Sequence, residues 1–219
     1  MEPCPNGCLP ALGGRRLAIP YCTLCGSAQA CFTDDVEGAD EMPVLRTSGL
    51  LSRSNKVMFD LPTMSVFDTF SGEALSGPLH DAGVELEQTC VVASRWGDWK
   101  AANPETTIVA RDGVIGVDYP FVPLRGRDDD GAIFHIGDVD ERLPAQEKVL
   151  EVDTDDGRAL AFPVADARAE LDAGRPENAL GVTVVPDASG VLATREDGGE
   201  GVGHEAFWFA WSQFNPDTL

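Results

Sequence analysis

The chain has 219 residues, 43% of them hydrophobic, which is enough to bury a substantial core and too apolar for wholesale disorder. Thirty-seven acidic residues against 16 basic ones leave a net charge of −21, and Lys56, Lys100 and Lys148 are its lysines. A surface of that sign repels nucleic acid and anionic membranes, both of which are recognised through Lys and Arg patches, so nucleic acid is excluded as a partner.

An acid-rich, lysine-poor surface stays hydrated in very high salt, where a short Debye length screens its self-repulsion, and the composition points to a halophilic host. The acidic runs Asp128-Asp129-Asp130 and Asp153-Thr154-Asp155-Asp156-Gly157 lack the remaining pattern of a calcium loop and read as solvated turns. No apolar run reaches 18 residues, so no transmembrane segment is expected. Met1-Glu2-Pro3-Cys4-Pro5 has neither the basic start nor the apolar core of a signal peptide, which places the product, as written, in the cytoplasm. Six cysteines in a chain of this length do not make a disulfide scaffold.

In chain order, residues 1–14 are rich in Pro, Gly and Cys and read as a loop closing on Gly13-Gly14. Residues 15–21 and 28–32 read as strands that enter and leave Tyr21-Cys22-Thr23-Leu24-Cys25-Gly26-Ser27. Short β-type runs follow at 43–47, 56–61, 64–70, 84–92 and 106–110, each bounded by turn residues, as in an antiparallel meander. Ser94 to Pro104 reads as a short helix capped by Ser94 and stopped by Pro104, with Trp96 and Trp99 on one face set to bury against a sheet. Residues 112–146 form a connection containing one strand, 132–136. A hairpin is expected from 149–152 and 159–163 about Asp156-Gly157, a helix over 165–173 closed by Gly174, and a second hairpin from 180–185 and 191–194.

The C-terminal end repeats an earlier string. Trp208-Phe209-Ala210-Trp211-Ser212-Gln213-Phe214-Asn215-Pro216-Asp217-Thr218 and Trp96-Gly97-Asp98-Trp99-Lys100-Ala101-Ala102-Asn103-Pro104-Glu105-Thr106 share W-x-x-W-x-x-x-N-P-[DE]-T at an offset of 112. Two similar halves are implied, the second abridged. The expected organisation is a loop at 1–14, a first β-rich repeat at 15–111, a connection and hairpin start at 112–158 and a shorter repeat at 159–219. The fold class is mainly β (α+β): an antiparallel β-rich repeat fold with short Trp-x-x-Trp helices packed on the sheets, all four tryptophans serving as core anchors.

Chemistry concentrates at Cys22 and Cys25. Two thiols at this spacing can grip one metal ion or close one small disulfide, and the following Gly26 allows a tight knuckle. A closed zinc site wants four ligands; Cys4 and Cys8 complete C-x3-C-x13-C-x2-C, with His80, His135 or His204 as substitutes. Zinc or another thiophilic metal is the cofactor this implies, a redox dithiol is the second reading, and a pair of buried structural cysteines is the third. Cys31 and Cys90 sit in apolar strand patterns as core residues. His135 should face away from Phe134 and Ile136, His80 sits in a turn, and His204 suits a helix cap or the surface. No histidine has the carboxylate and nucleophile of a catalytic triad at an interpretable spacing, and no phosphate-binding loop or H-E-x-x-H motif occurs.

The run Gly13 to Ala28, read with Ser48-Gly49-Leu50-Leu51, Val57-Met58-Phe59-Asp60, Gly77-Pro78-Leu79, Asp140-Glu141-Arg142-Leu143-Pro144 and Ala206-Phe207-Trp208-Phe209-Ala210-Trp211, resembles the domain of unknown function 3179 family. The resemblance covers nearly the whole chain from Gly13. It implies a repeated β-rich fold in proteins often exported and sometimes lipid-anchored, with no assigned activity and with protein or small-molecule partners unknown. Met1 to Leu12 stands where members carry a strand and helix, so a truncated copy that has lost an export signal is expected; Ser65-Val66-Phe67 replaces the family's Ser-Leu-Trp.

Overall fold

The computed structural model describes residues 13–107, 132, 134–154 and 156–219. The first half runs β1 (Leu17–Ala18), β2 (Tyr21–Cys22), β3 (Ser27–Ala28), β4 (Ala30–Phe32), β5 (Leu45–Ser52), β6 (Asn55–Asp60), β7 (Val66–Asp68), β8 (Ala74–Ser76), α1 (Pro78–Asp81), β9 (Gln88–Thr89) and α2 (Trp96–Ala102). The second runs β10 (Lys148–Asp153), β11 (Ala159–Pro163), α3 (Val164–Asp172), β12 (Asn178–Ala179), β13 (Val182–Asp187), β14 (Gly190–Arg195), β15 (Gly203–Phe207) and α4 (Trp208–Phe214). Every strand pair is antiparallel among the described residues, so the β-rich α+β class expected from the turn spacing is the class observed.

The largest sheet is a meander, β5-β6-β7-β8, whose hairpins keep consecutive strands adjacent. Its first hairpin pairs Ser52 with Asn55 across the two-residue turn Arg53-Ser54, with Arg53 at φ 51°. Small sheets β1-β4-β9 and β2-β3 flank it. In the second half β10 lies between β11 and β15, joining residues more than fifty positions apart, and β12-β13-β14 forms a separate sheet. The expected hairpins at 149–163 and 180–194 and the helix ending before Gly174 are present as β10-β11, β13-β14 and α3.

Three buried clusters hold these elements. One lies among β4, β6, β7 and α1 and contains Phe67 and Leu86. A second packs α3 over β10, β11, β13 and β14 through Leu150, Val152, Ala167, Val184 and Val191. The third gathers Cys22, Cys25, Phe70, Val149 and Ala206 around α4. Strand β10 is therefore covered on both faces, which explains its nearly continuous apolar run in place of alternation.

Two local expectations are corrected. Ser94 does not cap α2: the cap residue is Arg95, without a side-chain cap bond, and the Ser94 hydroxyl meets that of Ser189 at 3.0 Å. Trp96 does not bury; it is 50% exposed and α2 contributes no buried residue. The expected strand at 106–110 falls mostly outside the described residues, as do residues 1–12.

Candidate functional site

The Cys-x-x-Cys segment is the turn of a miniature hairpin in which Tyr21 pairs with Ala28 and Cys22 with Ser27. Gly26 closes it at φ 63°, a left-handed conformation that L side chains rarely adopt. A Cβ there would also stand 2.9 Å from Lys148 Nζ and 3.0 Å from Phe207 Cε2, so no side chain fits the conformation or the space. The turn is docked by its carbonyls: Phe207 N–H donates to Cys25 O at 2.8 Å and Lys148 Nζ to Gly26 O at 2.7 Å. The sulfurs are thereby pressed onto β10, β15 and α4 in the second half of the chain.

Cys22 and Cys25 are 2% and 0% exposed, with their sulfurs 3.1 Å apart and unbonded covalently. Cys25 also donates to the Ser54 carbonyl at 2.8 Å, so the β5-β6 hairpin tip seats the second thiol. The two thiols are not equivalent. Cys22 is drawn down to about 6, mainly by the hydrogen bond it shares with Cys25 and against the cost of burial, with help from the N–H groups of Cys25, Lys56 and Leu24. Cys25 is pushed far up, first by that shared hydrogen bond, then by burial, then by the negative charges of Cys22, Glu151 and Asp68. One proton leaves this pair near neutrality, and the other is held tightly.

The second half also holds a buried pair that the sequence did not reveal, one register step along β10 and β15 from the Val149 and Ala206 of the thiol cluster. Glu151 on β10 is directly opposite His204 on β15, and Glu151 Oε1 lies against His204 Nε2, at 1% and 7% exposure. Neither carboxylate oxygen of Glu151 and not Nε2 of His204 has any further hydrogen-bond partner among the described residues. Burial holds the Glu151 carboxyl up at about 6, opposed by the imidazole. Phe70 places its ring edge on His204, centroids 5.2 Å apart, and belongs to the cluster that contains both thiols. On the outer side Phe70 and Trp211 line a cleft of about 590 Å3 with Arg53, Asp68, Asp153 and Phe214.

The expectation for His204 as a cap or surface residue is therefore corrected: it is a buried strand residue. Its partner carried one signal, a carboxylate inside the apolar run Val149-Leu150-Glu151-Val152; the pairing itself depends on a register between distant strands. His80 and His135 are exposed, His80 bonding Ala74 O at 2.8 Å, and neither joins the thiols. Cys31 is core at 1% exposure, whereas Cys90 is only half-buried and lies 2.9 Å from Glu200 Oε2, its thiol pushed up to about 11 by burial and that carboxylate. Cys4 and Cys8 lie outside the described residues. Among the described residues no group of three or more Cys, His, Asp or Glu side chains converges as a metal site.

The model of a family described as Protein of unknown function (DUF3179) matches residues 10–198, and the chain belongs to that family. No curated protein and no solved structure matches the chain. No described helix is long and apolar enough to cross a membrane.

Proposed function

We propose that Cys22 and Cys25 form a dithiol/disulfide redox centre carried on a β-rich scaffold. The observation that supports it is the geometry of the Cys-x-x-Cys turn, which holds two unbonded sulfurs 3.1 Å apart, with the first thiol drawn down by its neighbour and the second pushed up. Such a pair reacts in order. The Cys22 thiolate attacks one sulfur of a disulfide oxidant and expels a thiolate; Cys25 then loses its proton, attacks Cys22 Sγ and expels the second thiolate. Two electrons leave the protein, and the Cys22–Cys25 bond forms across sulfurs already 3.1 Å apart.

Burial of both sulfurs favours a second reading, in which the pair only staples the hairpin of β2 and β3 to the second-half core. A thiophilic metal such as zinc would require two further ligands beside Cys22 and Cys25, for which Cys4 and Cys8 remain the candidates. One titration separates these. The ultraviolet absorbance of the thiolate in the reduced protein should rise with an apparent pKa of about 6, vanish in Cys22→Ser and move toward the ordinary thiol range in Cys25→Ser. Oxidised glutathione should then convert the wild type reversibly to an intramolecular disulfide. Absence of any thiolate below about pH 8, well under the ordinary thiol value, together with a double Cys→Ser variant that loses only stability, assigns the pair to the scaffold. Stoichiometric zinc in the purified protein assigns it to metal.

A further inference from the structure

Closing the disulfide requires Cys25 to give up a proton in a place that water does not reach, since the sulfur is fully buried. We propose that the Glu151–His204 pair is the proton acceptor for Cys25. This rests on the redox reading of Cys22 and Cys25.

Strand register brings the pair to the thiols. Val149 and Ala206 are opposite each other and pack in the cluster that contains Cys22 and Cys25. Glu151 and His204 are the next pair on that face, two residues along each strand and about 7 Å away. Phe70 lies against the imidazole and belongs to the same buried cluster as both thiols. The charge of Glu151 is felt at Cys25, ahead of that of Asp68. Lys148 and Asp153, on the same strand, are the remaining charges that act on Glu151, and Asp153 also feels His204.

Placing a carboxylate here is costly, and packing alone does not require it. Among the described residues its oxygens meet only the imidazole. Asp68, the competing carboxylate, is already engaged by Phe70 N–H at 2.9 Å. In the second step of closure, the Cys25 proton moves to the Glu151–His204 pair, which shares it between oxygen and nitrogen. The Cys25 thiolate attacks Cys22 Sγ and the oxidant's second thiolate departs. One proton stays on the pair, against which Phe70, a wall of the cleft, lies.

The test is acid-quenched rapid mixing of the reduced full chain with oxidised glutathione, followed by mass analysis of the mixed and intramolecular disulfides. In Glu151→Gln the mixed disulfide should form at the wild-type rate and then accumulate. Its closure at neutral pH should slow on the order of a hundredfold, as expected for loss of a positioned base. Closure should recover as pH rises toward 10, where hydroxide replaces the pair, a rescue that a merely structural role would not produce. His204→Gln should slow the same step about tenfold, and it carries the expectation alone if Glu151→Gln does not fold. Wild-type closure rates in both variants, or slow closure in Asp68→Asn instead, overturn the assignment while leaving the redox centre standing. A wild-type chain that forms neither disulfide species overturns both.

Discussion

Helices α2 and α4, with the residues that follow them, share five identical residues and one acidic position and almost nothing of their surroundings. Their local geometry is the same. Arg95 and Phe207 before them are extended, at φ −67° and −74°, and Asn103 and Asn215 after them stand at φ −124° and −127°. Trp99 Nε1 donates to Thr106 Oγ1 at 3.0 Å, and Trp211 Nε1 to Thr218 Oγ1 at 2.9 Å. Yet Trp208 and Trp211 are each 3% exposed, while Trp96 is 50% exposed. The shared positions fix how the chain turns from helix to Asn-Pro, and the unshared ones fix where the helix goes. Phe209-Ala210 widens the apolar surface of α4 enough to bury it, whereas Gly97-Asp98 and Lys100 leave α2 with too little apolar surface to bury.

The largest effect that this comparison expects is at Trp211. Truncation to Ala removes a ring packed against Phe70 and the thiol cluster and should cost about 3–5 kcal/mol. Trp99→Ala, at the matching but only partly buried position, should cost clearly less. Urea denaturation with an unchanged slope reads both. Equal losses would mean that α2 is as much part of the core as α4.

The shared Trp–Thr bond allows a finer test. Thr218→Val leaves a buried indole N–H without an acceptor and should cost about 1–3 kcal/mol, the penalty for an unsatisfied donor. Thr106→Val breaks the same bond where water can replace the hydroxyl and should cost less than about 1 kcal/mol. If the two losses match, geometry rather than burial sets the strength of the bond.

The same distinction decides how much was readable in advance. Turn residues, apolar runs and the two tryptophan strings act locally, so β5, β6 and β7 of the meander, both second-half hairpins, α3 and the dithiol turn are legible from neighbouring residues, whereas β8 and α1 are not and the strand expected at 84–92 shrinks to β9. What was not legible depends on register across the chain: the placement of β15 against β10, and with it Glu151 opposite His204. His204 had no local signature, because the pattern around it fits a cap as well as a strand. The failure at Trp96 was different in kind. Its motif was read correctly, but burial was assigned from the motif when the intervening Gly97 and Asp98 already argued against it.

The smallest expected effect is therefore the most pointed. Trp96 keeps half its surface in water, and Lys100 Nζ lies 5.8 Å from its ring centroid, at an exposed site where such contacts contribute about 0.5–1 kcal/mol. Trp96→Ala should leave the urea midpoint within about 1 kcal/mol of wild type, near the surface range for substitutions. Trp208→Ala, the matching change in α4, removes a ring that bonds Asp140 O at 2.9 Å and stacks under Arg142, and it should cost several times more. A large loss at Trp96 would show that the identical string carries its burial with it. Burial would then belong to the motif, and the exposed face of α2 would need a covering surface that the contacts described for it do not supply.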